Sequence, residues 1–174
     1  MLRQPRPRLR DFSYIGKYAY FLTFCTCNRR CVFTRADFVN NSLTHFLRVA
    51  AEKRFKQTAY IFMPDHVHLI VRGLTEDSNL RSYEHRVKQK TGFDYRQVHG
   101  EHLWQPSFYD HILRGDAEEA SIIRYMVMNP VRAGLVKDPR DYPYWGTSDW
   151  TREEVLEDLR AHPDDDWTPP PRQD

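Results

Sequence analysis

Tyr60 to Val71 reads YIFMPDHVHLIV, two apolar runs joined at Met63, Pro64 and Asp65. Pro and Asp between two such runs predict an antiparallel hairpin with strands Thr58–Met63 and His66–Arg72. Side chains alternate across a strand, so His66 and His68 share one face while Val67, Leu69 and Val71 line the other. Two titratable residues at i and i+2 interrupt a run that, in a purely structural central strand, would be aliphatic on both faces. The pair is a candidate two-histidine metal claw. In isolation, His-x-His is more commonly a pair of hydrogen-bonded histidines, so the reading needs a third ligand. Asn129 is the candidate, and four residues before it stands a candidate nucleophile, Tyr125.

The segments flanking the hairpin supply a sheet and its cover. Tyr18–Thr26, YAYFLTFCT, is aromatic and β-branched and predicts a strand buried on both faces, ended by the polar, basic turn Asn28, Arg29 and Arg30. A helix follows, with Thr34 and Asp37 at capping-box spacing and a stripe of Val39, Leu43, Phe46, Leu47 and Ala50. Beyond the hairpin, 79–90 predicts a helix packed by Leu80, Tyr83 and Val87 and ended by Gly92. Ser107–Leu113 reads as a strand. Asp116, with Glu119 in the capping-box position, opens a helix packed by Ile122, Ile123, Met126 and Val127 and ended by Pro130.

Strand, helix, strand, strand, helix, strand is the order of a ferredoxin-like α+β fold, an antiparallel sheet with helices packed on it. The extra helix of residues 117–129 would pack against that sheet. Asp138–Trp150 is expected to be an irregular segment wrapping back on the body, Glu153–Ala161 a short acidic helix, and PDDDWTPPPRQD a disordered tail. The chain thus divides into a basic arm at 1–12, one domain at 13–150 and an acidic tail at 151–174.

Charge follows the same division. The 174 residues hold 26 Lys and Arg against 24 Asp and Glu. From Thr151 on there are eight acids and three arginines, which leaves 23 bases and 16 acids in residues 1–150. A basic body attracts polyanions, nucleic acid among them. The arm carries Arg3, Arg6, Arg8 and Arg10 with no acid before Asp11, a composition suited to lying along phosphates. Arg81, His85 and Lys88 form a second candidate row, at i, i+4 and i+7 of a helix. No apolar run approaches the roughly 20 residues of a membrane span, and the first residues hold no apolar stretch for a signal peptide, so a cytoplasmic location is expected. Cys25, Cys27 and Cys31 are odd in number and clustered, which predicts free thiols rather than a disulfide framework.

Tyr125 and Asn129 stand one helical turn apart on one face. If that face meets the strand of His66 and His68, two imidazoles and an amide oxygen converge on a metal beside a phenol, an arrangement for cleaving phosphodiesters. A phenol with an ordinary pKa of about 10 needs a metal, a base or strong positioning to attack at neutral pH. The alternative from pattern alone is that Tyr125 packs the helix and Asn129 is a polar helix end before Pro130. Tyr109 lies on a strand without an i+4 ligand, and His111 shares its face.

These stretches carry a resemblance. MPDHVHLIV resembles the His-hydrophobic-His motif of HUH endonucleases, and RYMVMNPVRAGLV resembles the nucleophile helix of their single-tyrosine transposases. YAYFLTFCTCNRRCVF and LWQPSFYDHILR are similar to the REP-associated branch, and the likeness extends from Phe12 to Trp145. It implies the HUH endonuclease fold, with Mg2+ or Mn2+ held by His66, His68 and Asn129. Tyr125 would attack single-stranded DNA to leave a 5'-phosphotyrosine and a free 3'-hydroxyl at imperfect palindromic hairpins. Asn129 stands where insertion-sequence relatives use Gln, a trait shared with the REP-associated branch. That branch also implies a monomer, whereas insertion-sequence relatives dimerise by exchanging the tyrosine helix. Arg3, Arg6, Arg8, Arg10, Arg81 and Lys88 are the candidates for holding the hairpin, with Tyr14 or Trp104 stacking on bases, although core packing is the stronger reading for Trp104, and the acidic tail is a candidate restraint on the site. Three other readings stay open: a relaxase or replication-initiator-like nickase, a non-catalytic DNA-binding regulator of the same fold, and a His-x-His metallohydrolase that uses water.

Overall fold

The structure, a computed structural model, describes residues 12–165 and 167–169. Arg3, Arg6, Arg8 and Arg10 therefore lie outside the described residues. Five strands, β1 (Ala19–Cys25), β2 (Phe55–Met63), β3 (His66–Gly73), β4 (Tyr109–Ile112) and β5 (Trp145–Thr147), form one antiparallel sheet in the order β4-β1-β3-β2-β5. Helices α1 (Ala36–Glu52) and α2 (Leu80–His99) follow β1 and β3, as in the ferredoxin-like order. Helices α3 (Asp116–Arg132) and α4 (Arg152–Ala161) follow β4 and β5. β3 is central, so a hairpin that alternates apolar and polar side chains must choose which face receives each set.

The choice is set by burial. Tyr20, Leu22 and Phe24 of β1 and Val67, Leu69 and Val71 of β3 pack with Phe46 and Val49 of α1 and Tyr83 and Val87 of α2. Phe21, Ile61 and Ile70 on the opposite face meet Ile122, Ile123, Met126 and Val127 of α3. At about 1.5–3 kcal/mol for each buried large side chain, a one-residue slip of β3 would cost several such terms and expose the histidines to the wrong layer. His66 and His68 thus face α3. Among the described residues, no helix is long and apolar enough to cross a membrane.

Several local expectations are corrected. α2 does not end at Gly92; Thr91 and Tyr95 prolong its buried stripe, Trp104 donates its indole N–H to Thr91 Oγ1 at 2.7 Å, and Gly100, at φ 71°, terminates it. A glycine inside a helix costs only about 1 kcal/mol, less than that packing returns. The capping boxes expected for α1 and α3 do not form. Arg35 and Gly115 are the N-caps, neither with a side-chain cap bond, and Asp37 bonds Arg35 instead. Glu119 is turned inward, 3% exposed. Pro130 lies within α3, which ends two residues later before Gly134 at φ 69°. The segment after 138 contributes β5, which pairs Trp145 with Ile61. A capping box forms at α4, where none was expected, between Thr151 and Glu154.

Candidate active site

The Pro64-Asp65 turn is held by the chain that leaves β1. Val32 and Phe33 donate backbone N–H groups to the Pro64 carbonyl at 2.7 and 3.0 Å, and Thr26 donates both its N–H and its hydroxyl to the Asp65 carbonyl at 3.0 and 2.9 Å. Satisfying both turn carbonyls fixes the tip from which β3 departs. The Asp65 carboxylate is bound on both oxygens: Oδ1 faces His66 Nδ1 at 2.6 Å and Oδ2 pairs with Arg29 Nε at 2.9 Å. The bond to His66 is the chief reason that its pKa lies below the ordinary carboxylate value. Arg29 and Asn28 both take φ of 55°, a left-handed backbone uncommon for such residues, and Arg29 also donates to Cys25 Sγ at 2.9 Å.

His68 is buried at 5% exposure. Its Nδ1 meets Thr23 Oγ1 at 2.8 Å, and Phe21 stacks on its ring at 5.1 Å and 27°. Burial, followed by the neighbouring His66, Arg29 and Arg132, holds its pKa well below the ordinary histidine value, so the ring is neutral at pH 7. With each Nδ1 engaged by a neighbour, both rings turn Nε2 to a common point, 3.1 Å apart and with ring planes 80° apart. Two nitrogens each about 2.1 Å from one metal at a right angle lie about 3 Å apart, so the spacing fits a shared coordination sphere. The Asp65 carboxylate can only accept, so it holds the His66 proton on Nδ1 and leaves Nε2 a lone pair, while the Thr23 hydroxyl orients the His68 ring.

α3 sets Tyr125, Asn129 and Arg132 in a ladder at i, i+4 and i+7. The Tyr125 ring lies 5.9 Å from His68 and 6.3 Å from Phe21. The Arg132 guanidinium covers the same ring at 4.4 Å from its centroid, bonds the Tyr125 carbonyl and donates to Asn129 Oδ1 at 3.2 Å. Asn129 Nδ2 is buried without a partner. Since Arg132 can donate only to an oxygen, it fixes which way the amide of Asn129 turns. Two imidazoles and one amide oxygen are not the oxygen-rich shell that Mg2+ prefers, so Mg2+ or Mn2+ held there would draw its remaining oxygens from water or substrate. Among the described residues, no cluster of three His, Cys, Asp or Glu offers an alternative metal site.

The structure thus brings Tyr125 to His66 and His68 on one face of the sheet, with Asn129 tied to that group through Arg132. It does not gather the helical basic row. Arg81 lies exposed over the ring of Tyr14 at 5.3 Å, while Lys88 pairs with Glu84 at 2.7 Å and sits over Phe24 and Phe108. Tyr14, a candidate for base stacking, is buried in the α1–α2 core, and Trp104 packs there too, as the stronger reading of it had it. His111 does approach the site's face, bonded to Glu118 at 2.7 Å. Asp65, Thr23, Arg29 and Arg132 were not singled out as site residues by the sequence. Trp167, in the segment expected to be disordered, packs on Tyr125.

The family model described as "Transposase IS200 like" matches residues 14–129, which contain both histidines, the tyrosine and the asparagine. A Haemophilus influenzae protein provisionally named a REP-associated tyrosine transposase is 28% identical over 170 residues, 89% of this chain and 93% of that one. An Escherichia coli protein named REP-associated tyrosine transposase is 26% identical over 133 residues, 75% and 77% of the two chains. A solved structure of a REP-associated tyrosine transposase bound to a REP hairpin superposes with a TM-score of 0.67 at 23% identity, over 97% of this chain and 92% of that one.

Proposed function

The chain belongs to the IS200-like transposase family, whose members act on DNA, and we propose that it cleaves and rejoins single-stranded DNA at palindromic hairpins through a covalent bond to Tyr125. The observation that carries the reading is the convergence of the two imidazole Nε2 atoms beside the Tyr125 ring. The hairpin as substrate is supported by the fold shared with a relative solved on a REP hairpin.

His66, His68 and Asn129 would hold Mg2+ or Mn2+, which supplies charge to polarise the scissile phosphate. Asp65 and Thr23 keep the two Nε2 atoms turned inward, and Phe21 walls the site behind His68. Tyr125 attacks phosphorus: the phenolic O–P bond forms as the P–O3' bond breaks, the phenol proton passes to solvent, and the leaving 3' oxygen takes up a proton. The 5'-phosphotyrosine keeps the bond energy, so a DNA 3'-hydroxyl can reverse the step without ATP. The connection before the tyrosine helix, Arg114 and Gly115, is short, which supports a working monomer.

The test is incubation with Mn2+ and labelled single-stranded DNA containing a palindrome from the source genome, followed by a denaturing protein gel. A labelled protein band that is lost in Tyr125→Phe and His66→Ala is the expected result. Cleavage without a protein band would identify a water-using nuclease, and tight binding with neither would identify a regulator.

A further inference from the structure

We infer that Arg132 is a catalytic residue that grips a non-bridging oxygen of the scissile phosphate, an inference that rests on the proposed tyrosine-cleavage reading. Arg132 uses Nη2 on the Tyr125 carbonyl and Asn129 Oδ1. No carboxylate pairs with it among the described residues, and its side chain also reaches that of Tyr125. A guanidinium offers five N–H donors in a rigid fork that matches phosphate, more than these partners occupy. Its position is equally specific, 4.4 Å over the ring of the nucleophile. A carbonyl oxygen has two lone pairs, so Asn129 can accept from Arg132 and face a cation at the same time. With a cation held by Asn129, an anion reaching Arg132 would meet both charges. In a DNA-cleaving site that anion is the phosphodiester under attack.

A cation near a helix C-terminus also interacts well with the helix dipole, which would explain the charge but not its seat over Tyr125. The reaction keeps its balance: Arg132 donates hydrogen bonds and neither gains nor loses a proton, while the O–P and P–O3' bonds exchange as above. Donors aimed at the charge that builds on the phosphoryl oxygens strengthen in the transition state, where loss of one costs about 100- to 1000-fold in rate.

The experiment measures single-turnover formation of the covalent adduct, and hairpin affinity, for wild type, R132A, R132Q and R132K. Two DNAs are compared, one natural and one with a neutral methylphosphonate at the scissile position. On natural DNA, R132A and R132Q should be slower by about 100-fold with unchanged hairpin affinity, and R132K should recover part of the rate. On methylphosphonate DNA, R132A and R132Q should match wild type, since the charge that Arg132 meets has been removed. An equal defect on both DNAs would overturn the proposal in favour of a role in orienting Asn129 and Tyr125. Wild-type rate in R132A, or a loss explained by weaker hairpin binding, would overturn it too. R132Q keeps most of the side chain's packing volume, and its melting temperature guards against a folding defect. Failure of the underlying reading is separately visible, as cleavage by the wild type with no covalent band.

Discussion

Trp167 stands edge-on to Tyr125, with ring centroids 5.2 Å apart and planes at 69°. It also meets Phe21 at 5.6 Å and His111 at 6.2 Å, so an indole from the acidic C-terminal segment covers the candidate nucleophile. Arg124 secures that segment, donating to Asp165 at 2.6 Å and pairing with Asp158 of α4. An edge-to-face pair contributes about 0.5–1.5 kcal/mol, so removing residues 163–174 should raise the rate of adduct formation roughly two- to tenfold, with W167A between. Single-turnover kinetics with and without the segment make the check. A slower rate in W167A would mean instead that the indole props the phenol in place.

The Asp65 carboxylate is the outer partner of His66 Nδ1, and it is itself held by Arg29. Removing such a partner lowers metal affinity about 10- to 100-fold. Asp65→Asn is therefore expected to weaken Mn2+ binding by that factor, measured calorimetrically or from the resonance of free Mn2+, with the melting temperature of the metal-free chain little changed. Unaltered affinity would show that the His66 tautomer is fixed by other means.

The hairpin, the alternation that puts both histidines on one face and the helical spacing of Tyr125 and Asn129 were legible because they are periodic and local. The first four strands follow the ferredoxin-like element order, whereas β5 comes from the segment that the composition marked as irregular. What the pattern hid is long-range. Glu119 has capping-box spacing, yet Thr58 and Arg72 offer it better partners across the fold. Arg132 shares the helix face of Tyr125, but its seat on the ring is decided by side-chain geometry that no spacing encodes. The tail's composition signals disorder because its ordering depends on Arg124 and on an aromatic cluster formed by three other elements.

His68 imposes a pH dependence on the metal-free fold. Burial, with the neighbouring cationic groups, depresses its folded pKa well below the unfolded value of about 6.5, so the unfolded chain binds the proton more readily. Stability contributed by the neutral ring is complete above about pH 6.5 and is lost as pH falls towards the folded pKa, by at most about 1.4 kcal/mol per pH unit. Urea unfolding of the metal-free chain from pH 7.5 to 5 should show the decline, and His68→Gln should flatten it. An equal slope in the variant would assign the dependence to other groups.

Glu119 joins α3 to the sheet at the end of β3 remote from the histidines. Its carboxylate accepts from Thr58 Oγ1 and from Arg72 Nη2, both at 2.6 Å. Removing one partner of a fully buried ion pair costs about 3–5 kcal/mol, but the Arg72 side chain is 44% exposed and can recover water. Glu119→Ala is therefore expected to cost about 2–3 kcal/mol in urea unfolding. Glu119→Gln should cost less, because it keeps an acceptor for the Thr58 hydroxyl. Arg72→Ala combined with Glu119→Ala should cost less than the sum of the two single changes, since the second removal no longer strands a charge. Additive losses would show that Arg72 is solvated rather than bound, and that Thr58 alone anchors Glu119.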